Sequence, residues 1–251
     1  MRVLMKYTWT EIKLFLREPI GAFFTLAFPL MMLFLFGSIY GNDPSPYFDG
    51  YGSVDVSIPA YTAMIIGTTG LMGLTITMSA YREKGILRRL RATPIQPNII
   101  LISQVVVIFL MTLAGMLLLI LAGKLIYGVR FDGNPLSVAL AFILGSLSFF
   151  SLGFVLASVI PTARTAQVVG MAILYPMLFL SGAGMPLEIL PESVRKISKF
   201  LPLTHVVTLL RGLWTGDTWS QHTTEVIVLS CIMVLGVLIS AKTFRWEPFP
   251  S

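Results

Sequence analysis

Six stretches of this chain, at roughly 20–40, 58–80, 98–122, 136–160, 166–184 and 223–242, are nearly free of charge and about 20 residues or more in length. Nothing else in the sequence restricts the fold as strongly. A helix needs about 20 mainly apolar residues to cross a bilayer. Inside hydrocarbon, every backbone polar group must be satisfied within the segment or by protein around it. The chain is therefore predicted to be an all-α integral membrane protein with six transmembrane helices. Composition agrees, since 12% of the 251 residues are charged against about 25% in a soluble domain.

The charge lies between the stretches, and its distribution sets an orientation. With six crossings both termini share a side, together with the loops near 81–97 and 161–165. That side collects twelve Lys/Arg against four acids, a net of +8, while the opposite side nets −2. Cytoplasmic loops carry the Lys/Arg excess, so both termini and the segment REKGILRRLRATP at 82–94 are predicted to be cytoplasmic. The overall charge of +6 is then a topology signal, and no nucleic-acid partner is expected. Residues 1–18 read as an N-terminal interfacial amphipathic helix. Leu4, Met5, Trp9, Ile12, Phe15 and Leu16 share one side, and Lys6, Lys13 and Arg17 form a stripe beside them. The first stretch is long, contains Pro29 and lacks an A-x-A site, so it does not read as a cleaved signal peptide.

Several chemistries are excluded. A buried charge at mid-bilayer is costly and marks ion or proton pathways, and the six stretches hold none away from their ends, which argues against proton or sodium coupling. Two histidines, His205 and His222, and the single Cys231 give neither a disulfide framework nor a metal motif. A Walker A loop needs G-x-x-x-x-G-K-[ST] to cradle phosphates. The nearest approach, AGKLI at 122–126, has Leu125 in place of Ser or Thr and Leu118 in place of the first Gly. No catalytic group, cofactor site or metal site is expected in this chain.

Small and hydroxyl residues recur at helical spacing. In the second stretch Thr62, Ile66, Thr69, Gly73, Thr77 and Ala80 share a stripe, which reads either as a helix–helix contact or as the weakly polar wall of a substrate path. Gly37 and Gly41 form a GxxxG that reads as packing, and Cys231 reads as an ordinary buried residue. The fifth stretch holds Pro176 at mid-span, where it removes a backbone hydrogen bond and kinks the helix. A Gly-Ala-Gly-Met-Pro break follows, then LEILPESVRKISKFLP, then LTHVVTLLRGLW, which is too short to cross a bilayer. Residues 185–222 are therefore predicted to form broken, re-entrant helices on the outer side, covered by protein or lining a cavity.

Three groups of residues resemble the membrane subunit of exporter-type ABC transporters, the type 2 permease family. They are Glu83-Lys84-Gly85-x-Leu87 running on into Arg88-Arg89-Leu90-Arg91-Ala92-Thr93-Pro94; Phe179-Leu180-Ser181-Gly182 before Met185-Pro186-Leu187; and Leu201-Pro202-Leu203-Thr204 leading to Leu210-Arg211-Gly212. The resemblance covers essentially the whole chain and implies one permease domain, 1–251, that dimerises with an identical or different second permease in the lipid of the inner membrane of a prokaryote. It implies that ATP and Mg are bound by a separate cytoplasmic ABC ATPase. It makes residues 81–96 a cytoplasmic coupling helix between spans two and three, with Arg82, Glu83, Lys84, Gly85, Leu87, Arg88, Arg89 and Leu90 docking on that ATPase.

Read as a helix from Tyr81, the segment places Ile86, Leu87 and Leu90 on one apolar face, with Glu83 among them, able to enter a partner's groove. The plainer reading is positive-inside charge against lipid headgroups. By the same resemblance the second and fifth spans line the path, through Thr62, Thr69, Gly73, Thr77, Tyr175 and Pro176. An uncharged lining suits a hydrophobic or amphipathic cargo such as a drug, lipid or glycolipid. The rival readings are a self-sufficient channel or secondary transporter, and a non-transporting scaffold or sensor subunit.

Overall fold

The computed structural model describes Trp9, Thr10, Lys13, residues 19–91 and residues 97–244. Those residues form helices and connecting turns, with no strand among them. All six predicted stretches become helices long and apolar enough to cross a membrane. We label them α1 (Phe23–Tyr40), α2 (Ser53–Glu83), α4 (Pro97–Tyr127), α5 (Pro135–Val159), α6 (Ala163–Leu180) and α9 (Thr223–Thr243). The shorter helices between them are α3 (Ile86–Arg91), α7 (Glu192–Ser198) and α8 (Pro202–Trp214). The predicted helix over 1–18 lies largely outside the described residues. Of its positions Trp9, Thr10 and Lys13 are helical, and Lys13 Nζ lies 5.3 Å from the Trp9 ring centroid.

The helices begin where side chains can satisfy orphan N–H groups. Asn134 caps α5 by accepting from the Leu136 and Ser137 amides at 2.9 and 3.3 Å, with Pro135 in the first turn. Thr162 caps α6 by accepting from the Thr165 amide at 3.2 Å. At 31 residues, α4 is about 46 Å long, longer than the roughly 30 Å hydrocarbon core.

Packing follows the small residues. Along the α5–α9 contact, Ser148 Oγ and Ser151 Oγ donate to the Leu229 and Ile232 carbonyls at 2.8 and 3.2 Å. Close approach and hydroxyl bonding replace the hydrophobic drive that lipid removes. The helices α2 and α5 run parallel. Where they meet, a Cβ on Gly153 would sit 2.2 Å from the Gly70 carbonyl oxygen, so the backbones touch there. The core lies around α2, whose Ile58, Ala63, Ile66 and Leu74 are fully enclosed. The GxxxG reading holds at Gly37, which abuts the Tyr127 ring, but Gly41 has φ +66° and ends the helix instead. Cys231, expected to be buried, is exposed on α9, because that helix turns only its Leu229 and Gly236 face fully inward.

We call the end of the bundle that carries α3 the basic end. The other end is closed by α8, which buries Leu203, Val206, Leu209, Leu210 and Leu213 against α2, α5 and α9. A polar knot beside it ties three connections together. The Asp55 side chain is fully buried and accepts from Asn42 Nδ2 at 2.8 Å, the Gly52 amide at 2.9 Å, and the Arg130 amide and Nε at 2.9 and 3.2 Å. Asn42 Oδ1 accepts in turn from the Val54 and Asp55 amides at the start of α2. The Tyr51 hydroxyl lies 3.0 Å from Asp132 Oδ2 and 2.9 Å from the Thr215 carbonyl. Desolvation, then the bond to Asp132, raises its pKa above the ordinary tyrosine value, so it remains a donor at neutral pH.

Replacing Asp55 by Ala strands the Gly52 and Arg130 donors. It is expected to cost roughly 1–3 kcal/mol, read as a fall in the thermal unfolding midpoint of the purified protein, with Asp55→Asn recovering part of it.

Candidate functional site

At the basic end the second span does not pass smoothly into the loop helix predicted from Tyr81. Tyr81, Arg82 and Glu83 remain the last turn of α2. The helix stops because Gly85 adopts φ +65°, a left-handed conformation that glycine takes without penalty. The Gly85 amide closes on the Arg82 carbonyl at 2.9 Å, and the Arg89 amide returns to the Gly85 carbonyl at 3.1 Å as α3 begins. A Cβ at Gly85 would meet nothing within 4 Å, so the backbone angle alone calls for glycine here. Pro94 and the side chain of Leu90 lie outside the described residues.

Arg82 and Glu83, both expected on the docking segment, bond within this chain. Arg82 is fully buried and points into the protein. Its Nη1 donates to the Ala157 carbonyl at 2.7 Å, and its Nη2 donates to the Ile160 carbonyl. Both carbonyls belong to the C-terminal end of α5, where the helix dipole is negative. Glu83 turns the other way, and its Oε2 accepts from the Ala163 amide at 2.9 Å, at the first turn of α6 where the dipole is positive. Two adjacent residues of opposite sign thus clasp the two helix ends that flank the 160–163 connection. Leu87 is also fully buried, so this member of the predicted apolar face packs on this chain, while Ile86 is half-buried. Lys84, Arg88 and Arg89 are left exposed at the surface.

Above the clasp an inner cavity of about 410 Å³ opens between α1, α2, α4 and α6. Of the predicted path residues, Thr69, Gly73 and Thr77 line it. Thr62 does not: it is buried, and its hydroxyl donates to the Ile58 carbonyl at 2.8 Å. The stripe on α2 therefore divides, with packing toward the closed end and cavity wall toward the basic end. Tyr175 and Pro176 line neither cavity and lie with Phe179 on the exposed side of α6. Pro176 falls near the end of that helix, not at its middle, since α6 stops at Leu180.

Two wide, π-helical turns face the cavity. Phe23–Ala27 in α1 contributes Phe24 and Thr25, and Thr68–Leu74 in α2 contributes Thr68, Thr69, Met72 and Gly73. Such turns interrupt the i→i−4 ladder and concentrate at functional sites. From α4 come Gln104, buried and with Nε2 lacking an acceptor among the described residues, and, packed on Thr69, Thr112, whose Oγ1 lies 3.0 Å from Thr69 Oγ1. A search for ionisable residues passes over Gln104. The signal was a lone amide in the run ILISQVVVIFL.

A second cavity, about 350 Å³, lies at the closed end against the Gly182–Met185 break. Arg211 Nη1 reaches Glu188 Oε1 at 2.6 Å, and His222 Nε2 reaches Asp217 Oδ2 at 3.0 Å, all four residues bordering it. None of the predicted path or docking residues borders it.

Comparison with known proteins fits this architecture. Residues 3–214 match the family model described as ABC-2 type transporter. The putative transport permease YvfS of Bacillus subtilis (strain 168) is 25% identical over 246 residues, covering 96% of each chain. Nodulation protein J of Rhizobium leguminosarum bv. viciae is 33% identical over 99 residues, 39% of this chain and 38% of that protein. The probable multidrug ABC transporter permease YbhS of Escherichia coli (strain K12) is 23% identical over 188 residues, 74% of this chain and 48% of that one. The chain thus spans nearly all of one relative and half or less of the other two. The match runs from the first span through α8, and the six apolar helices are of crossing length; the chain is a multi-pass inner-membrane protein of the ABC-2 type transporter family.

Proposed function

We propose that this chain is the transmembrane subunit of an ATP-driven exporter. It would move a hydrophobic or amphipathic substrate, a drug, lipid or glycolipid, out of the cytoplasm or inner leaflet, while a separate cytoplasmic ABC ATPase binds ATP and Mg. The basic end is cytoplasmic in this reading, in keeping with the Lys/Arg bias. The clasp carries the proposal. Arg82 holds the end of α5 and Glu83 the start of α6, so a force applied to the exposed Lys84, Arg88 and Arg89 reaches both spans through direct bonds. The ATPase docks through Arg88 and Arg89, with Lys84 beside them at the mouth of the inner cavity and Gly85 setting the angle of α3. Arg82 and Leu87 serve docking from inside, by fixing the platform. A second permease faces the exposed side of α6 and closes a path there past Tyr175 and Pro176.

The two roles separate experimentally when the chain is purified with its ATPase subunit and reconstituted in lipid vesicles. Arg88→Glu combined with Arg89→Glu is expected to lower ATPase retention at least tenfold, since surface charge governs encounter. Glu83→Gln keeps the shape, weakens the α6 cap and leaves ATPase retention intact, while transport per ATP hydrolysed falls severalfold. Unchanged retention in the double variant, together with unchanged coupling in Glu83→Gln, would refute the assignment.

Sidedness has its own check. With Cys231→Ser as background, a cysteine in place of Arg89 is expected to react with an impermeant maleimide only after the cells are opened. Labelling of intact cells would reverse the orientation.

A further inference from the structure

The inner cavity has a charged end and an uncharged end, and the contacts between helices fix which is which. Thr112 meets Thr69 across the antiparallel pair α4 and α2. Counting back at 1.5 Å per residue places Gln104 level with Thr77, about 10 Å inward of Lys84. Across α2 and α6, the bond between Glu83 and Ala163 brings Gln167 to nearly the same level. Gln104, Thr77 and Gln167 therefore form a polar belt just inside Lys84, the one charged residue among the described residues that line the cavity. Beyond the belt no charge remains among the described lining residues: Met72, Ile76, Val107 and Ile108 line the walls, together with Thr25, Thr68 and Thr69 of the π-helical turns.

Gln104 is 2% exposed, and its Nε2 finds no acceptor among the described residues. A buried amide donor without a partner is unfavourable, and more so away from water. The described residues supply nothing that satisfies it, whereas an acceptor oxygen on a bound molecule would. Gly73 adds room, because a Cβ built there meets only the Thr68 carbonyl oxygen, at 3.8 Å.

We infer that this cavity, within a single protomer, is a binding site for an anionic amphiphile with a phosphate-type head. The head sits between Lys84 and the Gln104 amide, and the tail runs along Met72, Ile76, Val107 and Ile108 toward mid-membrane. The inference rests on the export reading for its physiological meaning, since a molecule held this way is a cargo entering from the inner leaflet. Its recognition chemistry depends on this chain alone. Gln104 is the specificity-determining contact, and Lys84 supplies the sign of charge that is accepted.

The test uses the purified full chain in phosphatidylcholine nanodiscs, without ATPase or ATP, so that failure of export and failure of binding are told apart. The probe is radiolabelled hexadecyl phosphate. Saturable binding is expected, displaced by unlabelled hexadecyl phosphate and not by hexadecyltrimethylammonium. Gln104→Leu and Lys84→Gln should each weaken it at least tenfold. Gly73→Leu, which fills the cavity without touching either polar contact, should do the same, provided each variant keeps the parent's unfolding midpoint within a few degrees. Displacement by inorganic phosphate at millimolar concentration would show a site for a free anion and would overturn the amphiphile. Equal binding in the parent, Gln104→Leu and Gly73→Leu, or equal displacement by the cationic amphiphile, would overturn the site.

Discussion

The basic end depends on the placement of one guanidinium group. Arg82 closes α2 and lies fully inside the protein, where an arginine persists only if its donors are occupied. The end of a helix is well suited to this, because its last carbonyls have no intrahelical partners and carry the negative pole of the dipole. By occupying the Ala157 and Ile160 carbonyls, Arg82 fixes α2 lengthwise against α5. The contact of Gly70 with Gly153 higher up then sets how closely the two helices approach. Glu83 completes the arrangement with the opposite charge on the opposite kind of helix end. The next residues turn sharply at Gly85, and Lys84, Arg88 and Arg89 are left outside.

The two ends of the bundle solve the same problem with different chemistry. At the closed end, Asp55, Asn42 and Arg130 satisfy one another and the free amides at the start of α2. At the basic end, side chains act on the termini of neighbouring helices instead. Between them the hydroxyls of α2 change role along one stripe. Thr62 bonds back to its own helix, Thr69 meets Thr112, and Thr77 borders open volume.

Much of this architecture was readable from the residues, because lipid admits so few solutions. Span number and approximate limits follow from length and apolarity, and all six helices lie where the hydropathy places them. The break after α6 and the short α8 were equally legible, since Gly-rich sequence and a 12-residue apolar run cannot form a crossing. Partner choice was less visible. Helical periodicity puts Leu87 and Leu90 on one face but does not say whether that face meets this protein or another, and Leu87 is buried here. Arg82 looked like one more cation in a basic run because its partners are carbonyls 75 and 78 residues away, and a carbonyl carries no sequence signature. The Asp55 knot was hidden for the same reason, and Gln104 because a neutral amide barely alters a hydropathy profile.

That distance along the chain bears on how the protein is made. When α2 leaves the ribosome, the carbonyls that will receive Arg82 do not yet exist, for they lie 75 and 78 residues further along, at the far end of α5. At roughly 5–20 residues per second, the wait is several seconds. Over that interval the guanidinium stays hydrated among the lipid headgroups, which its place at the end of a span permits. The step that buries it is the arrival of α5. The bonds that hold α2 lengthwise against α5 therefore cannot form until the whole of α5 has been made.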